Sequence, residues 1–171
     1  EDMALMRMIP GSIITDAADP VQMEWIIRTF ATLEGVHYVR SGRKASYSIY
    51  ESGSTFELGR GNVLQKGSDV LIISAGQLVK DALDAAEELE KQGLSVEVID
   101  MFCIKPLDKE LVLSEVAGKR AVVTFENHSV NGGLGSSVAE TLVEAQVCVP
   151  FKRIGVNEQF GQVGTADWLQ K

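Results

Sequence analysis

Short apolar runs alternate with amphipathic segments along the second half of the chain, and this alternation restricts the possible folds more than any other feature of the sequence. Val70–Ser74 is one such run, residues 77–92 repeat apolar side chains at helical spacing, and further runs begin at Val96, Ala121 and Phe151. Strands that alternate with helices over short loops form parallel sheets, because each crossover packs its helix against the sheet. The pattern predicts an α/β fold with a mostly parallel open sheet and helices on both faces.

The beginning of the chain contains the same kinds of element. Its pattern predicts a helix over 1–7, a strand over 12–16, a second helix capped by Asp19, and a second strand over 36–39. Residues 41–61 then lose all periodicity and are rich in Ser, Gly and Tyr, which is typical of a linker. We therefore predict three parts, residues 1–44, a linker over 45–66, and a domain over 67–171.

Charge and composition exclude several classes of protein. Sixteen Lys and Arg against 24 Asp and Glu give a formal net charge of −8, so the chain lacks the basic character that binding to nucleic acid requires. No apolar stretch approaches the roughly 20 residues that span a bilayer. Cys103 and Cys148 lie far apart in apolar runs and are predicted to be buried, reduced thiols. We expect a cytoplasmic protein that binds neither nucleic acid nor membranes.

A glycine-rich turn follows the strand predicted over 121–126. Gly132, Gly133 and Gly135 open a predicted helix, where backbone N–H groups can approach an anion. The spacing matches no nucleotide-binding loop, so a tight turn or close packing between chains is the other interpretation. Just before the turn, Glu126 either ends the strand or is buried against a neighbouring chain, and His128 is placed to exchange a proton with a substrate or to be structural.

Two arginines, Arg40 and Arg43, follow the strand predicted over 36–39. Ligands of open α/β sheets bind at the carboxyl ends of the strands, and a guanidinium group can hold a phosphate through two N–H groups. Exposed arginines in a loop are also ordinary, so these residues alone leave phosphate binding and a solvated loop as alternatives.

Several segments together resemble one enzyme family. Residues 1–11, 38–44, 69–76, 126–136 and 157–161 are similar to the C-terminal half of transketolases that depend on thiamine diphosphate, of the split or short type. The resemblance implies that residues 1–44 are the end of a pyrimidine-binding domain and that 67–171 are the transketolase C-terminal domain.

The same resemblance implies a function. A transketolase transfers a two-carbon ketol unit between sugar phosphates, a reaction of the pentose phosphate pathway, with thiamine diphosphate and Mg²⁺ bound between subunits. The family's diphosphate and metal motifs are absent from this sequence. The resemblance therefore implies that the chain alone binds neither cofactor and is inactive, and that it works as a dimer with an N-terminal transketolase segment or subunit.

Residue roles follow from the resemblance only at matching positions. Arg43 is the first match to the family's phosphate-binding arginine, and Arg40 is the second candidate. Five residues match a turn of the C-terminal domain that is associated with subunit contacts, namely Glu126, His128, Gly132, Gly133 and Gly135. The resemblance implies no catalytic or metal-binding residue. The alternatives are 1-deoxyxylulose-5-phosphate synthase, the beta subunit of a 2-oxoacid dehydrogenase, and a noncatalytic assembly module. Residues 157–161 resemble the transketolase ending more than that of the synthase.

Overall fold

The computed structural model describes residues 2–42, 47–161 and 163–164. Its helices are α1 (Asp2–Arg7), α2 (Pro20–Phe30), α3 (Leu78–Lys91), α4 (Lys109–Glu115) and α5 (Leu134–Glu144). Its strands are β1 (Ile13–Asp16), β2 (His37–Arg40), β3 (Asn62–Gln65), β4 (Val70–Ser74), β5 (Val96–Asp100), β6 (Cys103–Lys105), β7 (Ala121–Ser129) and β8 (Phe151–Val156).

The larger sheet has the strand order β3-β5-β4-β7-β8, and all of its pairings are parallel except that of β3 with β5. One face packs on α3 through Ile72, Val98 and Ala86. The opposite face packs on α4 and α5 through a larger cluster that includes Leu71 and Val138. Burial of apolar surface on both faces is the main stabilising term for such a layered fold. The predicted α/β fold is confirmed.

The smaller sheet has the order β2-β1-β6. β1 is parallel to β2 and antiparallel to β6. The strand β6 was not predicted, because three residues are too few to show periodicity and β6 is stabilised by pairing with β1, far away in the sequence. Lys105 at the end of β6 donates hydrogen bonds to the carbonyl oxygens of Arg7 (2.8 Å) and Ile9 (2.6 Å), so the end of α1 is fixed to this sheet.

The edge strand β3 arises from residues that the sequence analysis assigned to a linker. Its Val63 pairs with Ile99 of β5. Before β3, the side chain of Phe56 packs in a cluster with Trp25 and Phe102, with ring centroids 5.6 and 5.8 Å away. This segment is therefore packed against α2 and the connection between β5 and β6 through aromatic contacts, which local sequence periodicity does not reveal.

The predicted cap of α2 is confirmed. The side chain of Asp19 accepts a hydrogen bond from the backbone N–H of Gln22 at 2.8 Å, and its other oxygen accepts the N–H groups of Ile49 and Tyr50. One carboxylate thus satisfies a donor at the start of α2 and orders the segment around residue 50.

The two cysteines differ in exposure. Cys103 is buried as predicted, but Cys148 is exposed, so that prediction was wrong for Cys148. Its neighbours Val147 and Val149 pack against the core, whereas Cys148 between them faces solvent. Within the described residues, none of the helices has the length and apolar character needed to cross a membrane.

Candidate functional site at the junction of the two sheets

The carboxyl ends of strands from both sheets meet at one place. β1 ends at Asp16 and β2 ends at Arg40, and these two residues are paired across the strands. The backbone N–H of Gly76, just after β4, donates to the carbonyl oxygen of Asp16 at 3.1 Å, and the side chain of Arg40 reaches the backbone of β7. Open α/β sheets bind ligands at such strand ends, so this junction is the candidate site.

Arg40 lies at the centre of the junction. Its Nη1 donates a hydrogen bond to the carbonyl oxygen of Asn127, and its Nε lies 3.2 Å from Oδ2 of Asp2 in α1. The side chain keeps 27% of its surface exposed. Contacts on two different nitrogens fix the plane of the guanidinium group while part of it remains accessible to solvent. Arg43, the other predicted phosphate ligand, lies outside the described residues.

Asp2 connects Arg40 to Tyr38. The hydroxyl of Tyr38 donates a hydrogen bond of 2.6 Å to the same Oδ2 atom that Arg40 approaches. Burial of Asp2 acts to raise the pKa of its carboxyl, but the Tyr38 hydroxyl and the charge of Arg40 outweigh it and the pKa is lowered. Burial, together with the bond to Asp2, raises the pKa of Tyr38 to about 12. At neutral pH, Asp2 is therefore ionised and Tyr38 keeps its proton.

Asp16 is buried beneath Arg40. Burial raises the pKa of its carboxyl to about 7, an effect that the charge of Arg40 opposes and that of Asp100 reinforces. Gly76 packs directly on this carboxyl: a Cβ there would lie 2.3 Å from the carboxyl carbon of Asp16, and Gly76 has a φ of +63°. Any larger residue at position 76 would both clash and be strained.

Glu126 occupies the start of α5. Its two carboxyl oxygens accept hydrogen bonds from the backbone N–H groups of Leu134 (2.8 Å) and Gly135 (3.0 Å). These donors are the groups that an external anion would need, so the anion at this helix start is a side chain of the protein itself. Burial nevertheless raises the pKa of Glu126 to about 7, against the lowering effect of the two N–H groups.

The glycines of the turn make room for this carboxylate. A Cβ on Gly133 would lie 2.0 Å from Oε2 of Glu126, and a Cβ on Gly135 would lie 2.8 Å from Oε1. Gly132 has a φ of +82°, and its carbonyl oxygen accepts a hydrogen bond of 2.8 Å from Arg7 of α1. The turn is therefore packed against Glu126 and against α1 of the same chain. A contact of this turn with another subunit stays a prediction.

His128 differs from its predicted placement. β7 continues to Ser129, so Glu126 and His128 lie within the strand and not beyond its end, and alternate residues from Val122 to His128 face inward. His128 is 3% exposed, and its Nδ1 donates to the carbonyl oxygen of Ser129 at 2.6 Å. Burial lowers the pKa of its imidazole. A buried neutral imidazole suits packing inside the junction better than proton exchange with a substrate.

A third buried carboxyl, that of Asp100, ends β5. Its Oδ2 accepts hydrogen bonds from Gln22 Nε2 (2.7 Å) and from the Tyr50 hydroxyl (2.6 Å), whereas its Oδ1 has no partner among the described residues. Burial raises the pKa of Asp100 to about 7, although both hydrogen bonds act to lower it. A protonated carboxyl is therefore favoured in the folded protein below neutral pH.

The raised pKa of Asp100 makes the free energy of unfolding depend on pH. Because the pKa of Asp100 rises from the ordinary 3.8 to about 7, the folded protein keeps a proton that the unfolded chain has released. That stabilisation is complete below about pH 4 and is lost as the pH rises to about 7, at up to about 1.4 kcal/mol per pH unit. We expect Asp100→Asn to make the decline in the free energy of unfolding between pH 4.5 and 7.5 less steep, as measured by urea denaturation, while Asp16 and Glu126, whose pKa values are also raised to about 7, maintain the rest of it.

The control is Asp84→Asn, which changes an exposed carboxylate on α3 that is paired with Lys80. It should leave the pH dependence unchanged. An Asp100→Asn protein with the same slope as the wild type would show that Asp100 is already ionised in the folded state.

A metal centre is not evident at the junction. In residues 2–42, 47–161 and 163–164, no group of three or more His, Cys, Asp or Glu side chains is arranged to hold a metal ion. The described residues therefore offer no cluster of carboxylate, thiolate or imidazole ligands for a metal ion.

Comparison with known proteins identifies the family. Residues 59–171 match the family model described as "Transketolase, C-terminal domain". The chain belongs to the transketolase C-terminal domain family. The predicted resemblance is confirmed over the larger sheet and its helices.

Transketolase relatives extend the match to the whole chain. The putative transketolase C-terminal section of Methanocaldococcus jannaschii is 41% identical over 173 residues, covering 100% of this chain and 54% of that protein. The 6-deoxy-6-sulfo-D-fructose transketolase subunit SqwH of Clostridium sp. (strain MSTE9) is 40% identical over 171 residues, covering 100% of this chain and 53% of that protein. The chain thus spans about half the length of the curated relatives it matches.

A solved transketolase structure has the same fold. It is a split-gene transketolase described as an inactive beta4 tetramer, with a TM-score of 0.91 and 42% sequence identity, and the match covers 95% of this chain and 54% of that one. The high TM-score over nearly the whole chain shows that the arrangement of both sheets is shared.

Three side chains of the junction, those of Asp2, Asp16 and Tyr38, were not predicted from the sequence as parts of a site. A signal for Tyr38 does exist, because residues two apart on a strand point to the same face and Tyr38 precedes Arg40 by two. Asp2 carries no comparable signal, since its proximity to Arg40 depends on the packing of α1 against the smaller sheet.

Proposed function

We propose that the chain is the C-terminal portion of a transketolase that transfers a two-carbon ketol unit between sugar phosphates, and that it binds the substrate phosphate. The family membership and the relatives named as transketolases support this assignment. The chain's contribution is to bind and orient the sugar through its phosphate. The reaction chemistry belongs to thiamine diphosphate, which supplies the nucleophile that attacks the ketose carbonyl, and to segments outside this chain.

The observation that carries the proposal is the placement of Arg40. Its guanidinium group lies where the carboxyl ends of strands from both sheets meet, is held by Asp2 and Asn127, and is partly exposed. A planar, permanently charged group with several N–H donors is well suited to a phosphate dianion. Arg43 is proposed as the second ligand on the basis of the resemblance alone.

The proposal requires an assembly. We propose that the chain works in a dimer, together with an N-terminal segment or subunit that carries the diphosphate-binding residues. Leu5 of α1 and Met8, just after this helix, are 70% and 81% exposed, and they flank the turn at Gly132 on a surface of the kind that a second chain or domain covers. The pyrimidine-binding assignment of residues 1–44 is part of this proposal.

The substrate preference of the complete enzyme, measured in two separate reactions, tests the function. One reaction contains xylulose 5-phosphate with ribose 5-phosphate, and the other contains pyruvate with glyceraldehyde 3-phosphate. A transketolase forms sedoheptulose 7-phosphate in the first and little product in the second. Product in the second reaction alone would instead identify a 1-deoxyxylulose-5-phosphate synthase, and product in neither would favour the noncatalytic module.

A further inference from the structure

We infer that Asp2, supported by Tyr38, is a positioning residue that orients Arg40 toward the phosphate of the substrate. This inference rests on the proposed function, because it assigns a task to Asp2 only if Arg40 holds a phosphate. It concerns a residue of α1, an element for which the sequence analysis predicted no part in substrate binding.

The geometry is a chain of three side chains. Tyr38 donates to Oδ2 of Asp2 at 2.6 Å, and the same oxygen lies 3.2 Å from Nε of Arg40. Tyr38 and Arg40 are two residues apart on β2, so both project from the same face of the strand. Asp2 reaches that face from α1 and its side chain is 34% exposed, so the contact is partly accessible to solvent.

Orientation matters because an unrestrained arginine samples many rotamers. Freezing those rotamers on binding costs free energy, and a side chain that is already fixed loses less. Asp2 holds the Nε side of the guanidinium group and the Asn127 carbonyl holds Nη1, so the group is restrained before the substrate arrives.

The charge of Asp2 opposes this benefit, since a carboxylate repels a phosphate. Two features reduce the repulsion. Oδ2 accepts the Tyr38 hydroxyl and faces Arg40, so that its charge is partly compensated. The lowered pKa of Asp2 reflects the same compensation. The net effect of Asp2 on phosphate binding therefore comes from the orientation that it gives to Arg40 and not from its own negative charge.

A second reading is that Asp2 only attaches α1 to β2. The two readings differ in selectivity. A purely structural contact affects phosphorylated and unphosphorylated sugars equally, whereas a residue that orients a phosphate ligand affects only the phosphorylated substrate. The contrast between the donors xylulose 5-phosphate and D-xylulose measures this difference directly.

The experiment is a double-mutant cycle in the complete enzyme, with Asp2→Ala, Arg40→Ala and the double variant. We expect Asp2→Ala to raise KM for xylulose 5-phosphate about tenfold and KM for D-xylulose less than about twofold. In the Arg40→Ala background, Asp2→Ala should change KM for xylulose 5-phosphate less than about twofold, because its task acts through Arg40. Tyr38→Phe should raise the ratio of KM for xylulose 5-phosphate to KM for D-xylulose by about threefold.

Other results separate the two levels of the proposal. If Arg40→Ala raises KM for xylulose 5-phosphate but Asp2→Ala does not, or if their effects multiply independently, the positioning inference is wrong and the phosphate assignment stands. If Asp2→Ala raises both KM values equally, the contact is structural and the inference is overturned. If Arg40→Ala changes neither KM, the phosphate assignment itself is wrong.

Two further variants keep the test decisive. Glu24→Ala removes an exposed carboxylate that pairs with Arg28 within α2, and it should change neither KM. Where Asp2→Ala reduces the folded fraction, as judged by circular dichroism, Asp2→Asn replaces it. Asn keeps a hydrogen-bond acceptor for Tyr38 and Arg40, so the expected rise in KM for xylulose 5-phosphate is about threefold.

Discussion

In the complete enzyme, Arg40→Ala raises KM for xylulose 5-phosphate by about 100-fold, equivalent to about 2.7 kcal/mol of binding free energy. Hydrogen bonds to a charged group contribute about 1.5–3 kcal/mol, and a guanidinium group can make two of them to one phosphate. Removing the side chain also removes its contacts with Asp2 and Asn127, which lowers stability. Steady-state kinetics with D-xylulose as the second donor isolates the phosphate-dependent part.

Matched variants sharpen this result. Arg40→Lys keeps the charge but not the planar donor group, so its KM for xylulose 5-phosphate should lie between those of the wild type and Arg40→Ala. Arg28→Ala removes an arginine that is 76% exposed on α2 and should leave both KM values unchanged. Equal KM values for xylulose 5-phosphate in the wild type and in Arg40→Ala would contradict the assignment of Arg40 as a phosphate ligand.

Gly133→Ala should reduce the free energy of unfolding by about 3 kcal/mol or more, because the new methyl group has no space. Its Cβ would lie 2.0 Å from Oε2 of Glu126 and 2.8 Å from Nδ1 of His128. Neither neighbour can move freely: Glu126 is held by the N–H groups of Leu134 and Gly135, and both side chains are buried. Urea unfolding of the chain, followed by circular dichroism, measures the loss.

The backbone itself does not cause this effect. Gly133 has a φ of −90°, which any residue adopts, so the cost is steric. Gly161→Ala is the control, since a Cβ there would meet nothing within 4 Å, and it should change stability by less than about 0.5 kcal/mol. A loss below about 1 kcal/mol for Gly133→Ala would mean that Glu126 does not occupy the start of α5.

The strands and helices of the larger sheet were predictable because their signals are local. Val70–Ser74 is a continuous apolar run that forms a strand covered on both faces, and α3 places Val79, Ala82 and Ala86 on one buried face. The cap of α2 was likewise predictable, because Asp19 and Gln22 are three residues apart. Such features depend on neighbours in the sequence and need no knowledge of the fold.

The elements that were missed depend on distant partners. β6 has three residues and forms by pairing with β1, and β3 forms by pairing with β5. β7 extends three residues beyond its predicted end because Ser129 pairs with Val156 of β8. None of these pairings leaves a periodic signal in the sequence of a short strand.

The candidate site was predicted only in part, for the same reason. The sequence indicated Arg40 at a strand end and glycines before a helix. It did not show that Asn127, which is 87 residues away, and Asp2 hold Arg40, or that the carboxylate of Glu126 occupies the N–H groups at the glycine turn. These contacts arise when α1 and β7 pack at one junction, which only the fold establishes.

The most direct test of the account is a crystal structure of the complete enzyme with a bound sugar phosphate. Phosphoryl oxygens are expected within about 3 Å of the Arg40 guanidinium group, which keeps its contacts with Asp2 and Asn127. A phosphate bound elsewhere, with Arg40 contacting only Asp2 and Asn127, would contradict it.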